Sequence, residues 1–250
     1  MFKKKFIFSL GLFTIFLSMF TVTTNAAGWG FRKNSHHITP EIGKYQEMIE
    51  GTSSYYIGDE NKKEVILTFD AGYDNGELDR ILNVLKEKEV TASFFITGDF
   101  VKRFPDLTIR IANDGHVICN HSYSHHKIQT MTKQELSDDL TKLENAYYDL
   151  TNQRMAKYFR PPEGEFDRAS LLKVQSLGFK TVFWSIAYRD WEENRQSSKY
   201  KAIKNIVDNL HPGAIILLHS VSRTNSESLC DIIDAIKNNG YTFNTVLSLQ

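Results

Sequence analysis

The residues that could do chemistry in this 250-residue chain fall in five short stretches, most of them at the end of an apolar run. Asp70 closes "EVILTFD", His121 and His125 stand in "HSYSH", and Arg160 opens "RPPEG". Asp190 and Trp191 end "YRDW", and His219 ends "LLH". Two imidazoles four residues apart share one side of a helical turn, roughly 5–6 Å between Cβ atoms. That spacing suits two ligands of a single divalent cation. The plainer alternative is a polar loop with incidental histidines, His126 among them. Asp70 can cap the turn at Gly72, ligate the same cation, or act as general base toward water. His219 can be a packed histidine or a general acid. In the acid reading Asp190 holds one tautomer and raises the imidazole pKa, while Arg160 orients Asp70 and lowers its pKa. His36, His37, His116 and His211 receive no role; His211, before Pro212 near a helix end, suits a cation at the negative pole of the dipole.

Groups from five distant stretches need a repeating scaffold to meet. From Glu64 onward, short apolar runs alternate with amphipathic stretches of helical spacing. Strands are predicted at "EVILTFD", "TASFFITG", "HVICNHS", "KYFRPP", "KTVFWSIA", "GAIILLHS" and "YTFNTVLSL". Gly115, Gly178 and Gly240 mark helix ends. Thr132 with Glu135, and Thr224 with Glu227, read as capping boxes. Strict alternation implies parallel strands, and their near-continuous apolar character fits burial on both faces. The fold class is α/β, as a barrel ringed by helices or an open doubly wound sheet. In both, chemistry sits at the strand carboxyl ends. The mixed-charge "ELSDDLTKLE" reads as a solvated face. A glycosidase pair of Asp70 with Glu163 is a rival, but it leaves both site histidines unexplained.

The beginning of the chain lies outside this rhythm. Three lysines, an apolar run of 17 residues from Phe6 to Val22 and small residues up to Ala26 predict an export signal over 1–26. An uncleaved membrane anchor is the alternative, although the run is short for a span. Residues 27–63 read as an irregular N-terminal segment and 64–250 as the catalytic domain. The signal holds three of the 30 basic residues and no acidic one, leaving 27 basic against 30 acidic. A net charge near −3 is no footprint for nucleic acid. Cys119 and Cys230 read as buried thiols, with no spacing that argues for a disulfide.

Taken together, the motifs resemble those of the polysaccharide deacetylases, a family of carbohydrate esterases. "TFDAG" at 68–72, "HSYSH" at 121–125, "RPPEG" at 160–164, "RDW" at 189–191 and "LLH" at 217–219 occur in the family's order. The resemblance implies a distorted (β/α) barrel of about seven parallel strands and hydrolysis of an N-acetyl group. It implies a divalent metal cation, zinc first, on His121 and His125, with Asp70 as a further candidate ligand. It casts Asp70 as base, Arg160 as its tuner, His219 as acid and Asp190 as the acid's partner. Trp191, Leu217 and Phe166 would line the substrate pocket, with a backbone N–H near Phe166 facing the oxyanion. Two positions depart from the family: Ala71 stands where a second, metal-binding aspartate is usual, and Ala187 where the fourth motif often begins with aspartate. With "GYDNG", "FFITGDFV" and "LLHSVSRTN", the first departure resembles the branch that makes muramic δ-lactam in spore cortex. The implied substrate is a peptidoglycan strand whose N-acetylmuramic acid an amidase has freed of peptide, in the exported space around a forespore. N-Acetylglucosamine in peptidoglycan or chitin is the alternative substrate. A catalytically inactive glycan-binding protein is the alternative of another class, and Ala71 is its argument.

Overall fold

The computed structural model describes residues 26–249, so the predicted signal lies outside the described residues except for Ala26. The chain begins with β1 (Ala27–Gly28), α1 (Tyr45–Ile49) and β2 (Ser54–Tyr55). It continues through β3 (Glu64–Ala71), α2 (Leu78–Glu87), β4 (Ser93–Ile96), α3 (Gly98–Arg103), α4 (Pro105–Asn113) and β5 (Val117–Asn120). Then come α5 (Lys133–Thr151), β6 (Ala156–Phe159), β7 (Glu165–Phe166), α6 (Arg168–Ser176) and β8 (Lys180–Val182). The last elements are α7 (Lys199–Val207), β9 (Ala214–His219), α8 (Arg223–Asn238) and β10 (Thr242–Asn244).

All seven expected strands form, and every pairing among them is parallel. The sheet runs β9-β3-β4-β5-β6-β8-β2, with β10 beside the first residues of β3. Ile186, beyond β8, bridges Ile216 in β9 and brings the two ends of the curled sheet together. That contact decides for the distorted barrel over the open sheet.

The alternation of a strand sorts the core. Val65, Leu67, Phe69 and Ala71 face the helices. Ile66 faces the barrel interior with Phe95, Cys119, Tyr158, Val182 and Ile215. Asp70 belongs to the inward set and ends it, whereas Ala71 is turned away into the apolar layer beneath the helices. Cys119 is buried, Cys230 partly so, and both thiols are free.

Several local readings need correction. Residues 27–63 are not irregular throughout: β1 pairs antiparallel with β7 and β2 joins β8. Trp29 stacks on Phe183 with ring centroids 4.2 Å apart, and Ile42 and Ile49 pack in the same cluster. Two-residue strands carry no period, so nothing in the sequence announced them. "KTVFWSIA" keeps ladder geometry only to Val182, because beyond it the chain turns its carbonyls toward a buried arginine. "YTFNTVLSL" is strand only over Thr242–Asn244. The Thr132–Glu135 capping box closes in both directions, but the second does not form. Ser222 caps α8, and the Thr224 hydroxyl donates to the Ser197 carbonyl instead. Glycines 115, 178 and 240 take positive φ of 81°, 83° and 79° at helix ends.

Gly98 sits directly under Tyr123, where an added Cβ would lie 2.6 Å from the Tyr123 carbonyl oxygen. Overpacking of this kind costs about 1–3 kcal/mol. Gly98→Ala is therefore expected to lower stability by that order in urea unfolding and to displace the 121–125 loop.

Candidate active site

Strand register brings the motif residues to one level. Asp70 on β3 is directly in register with His219 on β9. Asn120 on β5 pairs with Phe159 on β6, so the next residues, His121 and Arg160, emerge side by side. All four open at the carboxyl end of the barrel, on or beside one cavity of about 1100 Å³ that Asp70, His121, His125, Trp191, Leu217 and His219 line.

Arg160 is fully buried. Its Nη1 donates to Asp70 Oδ1 at 2.7 Å, Nε to the Val182 carbonyl at 3.0 Å, and Nη2 to the Phe183 carbonyl at 3.4 Å. Its guanidinium carbon lies 4.0 Å from the Phe95 ring centroid, a cation–π distance. Burial works to raise the Asp70 pKa; the charge and hydrogen bond of Arg160, together with the nearby His121 and His219 rings, outweigh it and hold the carboxyl below its ordinary value.

His219 carries the opposite shift. Its Nδ1 lies 2.7 Å from Asp190 Oδ1, and its backbone N–H donates to Asp190 Oδ2 at 2.8 Å. A carboxylate only accepts, so Nδ1 holds the proton and Nε2 is left for other work. Burial of the ring works to lower its pKa, but the charge and hydrogen bond of Asp190 raise it above the ordinary value. Asn225 Nδ2 donates to Asp190 Oδ2 at 2.6 Å, and the Tyr188 hydroxyl holds the Asn225 amide oxygen. The sequence reading missed Asn225, since a polar residue on an amphipathic helix carries no signal of its own.

His121 and His125 do meet, with ring centroids 5.0 Å apart and planes at 77°. They do so without the helical turn that the spacing suggested. Residues 121–127 form a loop, and His125 adopts φ 55°. His121 Nδ1 faces the Arg160 carbonyl at 2.9 Å; a carbonyl only accepts, so the lone pair is on Nε2, 3.7 Å from Asp70 Oδ2. Burial pushes the His121 pKa down to about 4, against the pull of Asp70, so the ring is neutral at pH 7. An N–H held by a carbonyl is the usual support of a metal-ligating histidine. Ligands roughly 2.0–2.2 Å from one ion can stand 3.7 Å from each other. The donor set thus fits a divalent cation through two imidazoles, with the Asp70 oxygen beside them. Ala71 adds none, and among the described residues no three histidine, cysteine or carboxylate side chains form a ready cage.

The remaining predicted residues divide. Trp191 is half exposed on the rim, its ring 5.4 Å from that of His219. Leu217 is buried at the cavity floor and Ala187 lines the wall. Phe166 is a correction. Its ring is buried with Trp29 and Phe183 and is not part of the cavity wall, which Glu163 and Gly164 supply there. His211 is a second correction: it is buried, its Nε2 meets Ser185 Oγ at 2.9 Å, and burial lowers its pKa, so it is no dipole-bound cation. Asp139 is a third. Instead of facing solvent with its helix, its carboxylate turns toward the 121–125 loop.

A carboxylate held below its usual pKa, an imidazole held above it and a facing pair of imidazoles, all at parallel-strand ends, are equipped for hydrolysis of an acyl bond. The chain belongs to the polysaccharide deacetylase family, whose signature matches residues 57–182, and is a hydrolase of N-acetyl amide bonds. It is 41% identical to the peptidoglycan-N-acetylmuramic acid deacetylase PdaA of Bacillus subtilis, over 92% of this chain and 88% of that protein. The solved structure of PdaA, a family 4 carbohydrate esterase, matches with a TM-score of 0.86 and covers 90% of this chain and 96% of that one. A Bacillus cereus peptidoglycan-N-acetylglucosamine deacetylase is 34% identical over 80% of this chain and 73% of its own. A Bacillus anthracis family 4 pseudoenzyme matches with a TM-score of 0.73 and 30% identity, over 78% of this chain and 68% of that one.

Removing the buried cation would strand Asp70. Breaking one side of a buried pair costs about 3–5 kcal/mol. Arg160→Met is expected to lose stability of that order in urea unfolding at pH 7, and to lose less as pH falls and Asp70 becomes neutral.

Proposed function

We propose that this chain removes the N-acetyl group from muramic acid residues of peptidoglycan that have lost their stem peptide. The freed amine then closes on the lactyl carboxylate as muramic δ-lactam. The observation that carries the reading is the meeting of Asp70, His219 and the His121–His125 pair on one cavity. The higher identity to a muramic acid deacetylase than to a glucosamine one supports the substrate. So does Lys33 on the cavity wall, whose ammonium donates to the neutral Asn205 Oδ1 at 2.7 Å. Arg103 and Arg189, also on the wall, are each paired with a carboxylate, Asp99 and Glu192. Among the described residues Lys33 has no such partner and is available to a lactyl carboxylate.

In this reading Asp70, steered by Arg160, takes the proton of the attacking water. The carbonyl carbon becomes tetrahedral, His219 protonates the departing nitrogen, and acetate and the free amine result. A divalent cation on His121 and His125, with zinc the first to test, supplies Lewis acidity toward the acetamide carbonyl. Trp191 and Leu217 enclose the acetyl methyl. Peptidoglycan lies outside the cytoplasmic membrane, in accord with export directed by residues 1–26 and with a preceding amidase.

Acetate release from amidase-treated peptidoglycan tests the assignment. We expect release by the native enzyme and a loss of ~10²–10⁴ in rate for His219→Ala with the fold retained by circular dichroism. Release from glucosamine residues alone would overturn the substrate; binding without release would favour an inactive glycan-binding protein. The pH profile follows from the two shifts. Asp70 is the free base above a pKa lowered from 3.8, and His219 is protonated below a pKa raised from 6.5. The kcat/KM profile should therefore fall on the alkaline side only above 6.5, and Asp190→Asn should move that limb to lower pH.

A further inference from the structure

The 121–125 loop has no ladder of its own, yet each of its amides from 122 to 125 is bonded. Ser122 N–H donates to Asn120 Oδ1 at 2.8 Å. Tyr123 N–H donates to Asp139 Oδ2 at 2.8 Å and Ser124 N–H to Asp139 Oδ1 at 3.0 Å. The Ser122 hydroxyl donates to Asp139 Oδ2 at 2.8 Å, and its oxygen accepts the His125 N–H at 3.0 Å. One carboxylate on α5 thus takes three donors, and through Ser122 it reaches the backbone of His125. The backbone it holds is costly: Ser122 has φ 70° and His125 φ 55°, the left-handed region that residues with a Cβ rarely adopt. Among the described residues no cation pairs with Asp139, so its charge is committed to this loop.

We infer that Asp139 is a positioning residue that presets His121 and His125 for their cation. Its effect is large here because position 71 offers no carboxylate. The inference rests on the metal reading above. With few protein ligands, affinity depends on how little those ligands must reorganise on binding, and the groups that orient them typically govern 10–100-fold in affinity. Only a carboxylate serves. An asparagine can accept on one oxygen alone, and its amide N–H₂ would face at least one loop donor.

The test is zinc affinity, measured by chelator competition on the metal-stripped full-length protein. Asp139→Asn should bind zinc 10–100-fold more weakly, and the Tyr123 and Ser124 amides of the metal-free variant should exchange hydrogen faster. Asp138→Asn, on the exposed neighbour bonded to Gln134, should change neither. If Asp139→Asn does not fold, Ser122→Ala, which cuts the link to His125, is read in the same way. Zinc affinity within twofold of native, with only a lowered Tm, would overturn the inference alone. A native protein that binds no zinc would overturn the metal reading and the inference together.

Discussion

The buried ion pair of Arg160 and Asp70 is the constraint on which the rest depends. A guanidinium without solvent is tolerable only if its donors are used, because desolvation of a charge costs several kcal/mol. Here three donor atoms reach β3 and the two carbonyls at and after the end of β8, while the aromatic face of Phe95 covers the plane. The arginine therefore fastens three parts of the barrel at the level where the cavity opens. Its own carbonyl, fixed by the same chain path, orients His121.

Around that pair the site separates its two proton carriers. Asp70 and His219 are neighbours in register, yet one is surrounded by positive charge and the other backed by Asp190. Their pKa values are driven apart, which is how two groups in one cleft take opposite roles at one pH. Asn225 and Tyr188 complete the support of Asp190, so the acid side is as firmly held as the base side.

Much of this was legible in the sequence. The β3 pattern, the glycine stops, the Thr132–Glu135 box and the five motifs are local, and local chemistry is what a sequence displays. The misses share a cause. The helical turn drawn through His121 and His125 failed because their loop is held by Asp139, a residue read as part of a solvated face. Phe166 was expected at the pocket from the family resemblance alone, but the pairing of β7 with β1 turns its ring into the cluster around Trp29. The two-residue strands of the N-terminal segment had no period to reveal them.

By itself the sequence determined which groups are present, the alternation that makes the strands parallel, and that Asp70 and Ala71 fall on opposite sides of β3. Those follow from side-chain type and a period of two, which hold before any contact forms. Only the tertiary structure decided that Ile186 reaches Ile216, that Asp70 stands opposite His219, that Ala71 faces the helices, and that one helical carboxylate sets the imidazole loop. Each of these is a meeting of residues distant in sequence, and its geometry exists only once the barrel has curled enough to bring them within reach.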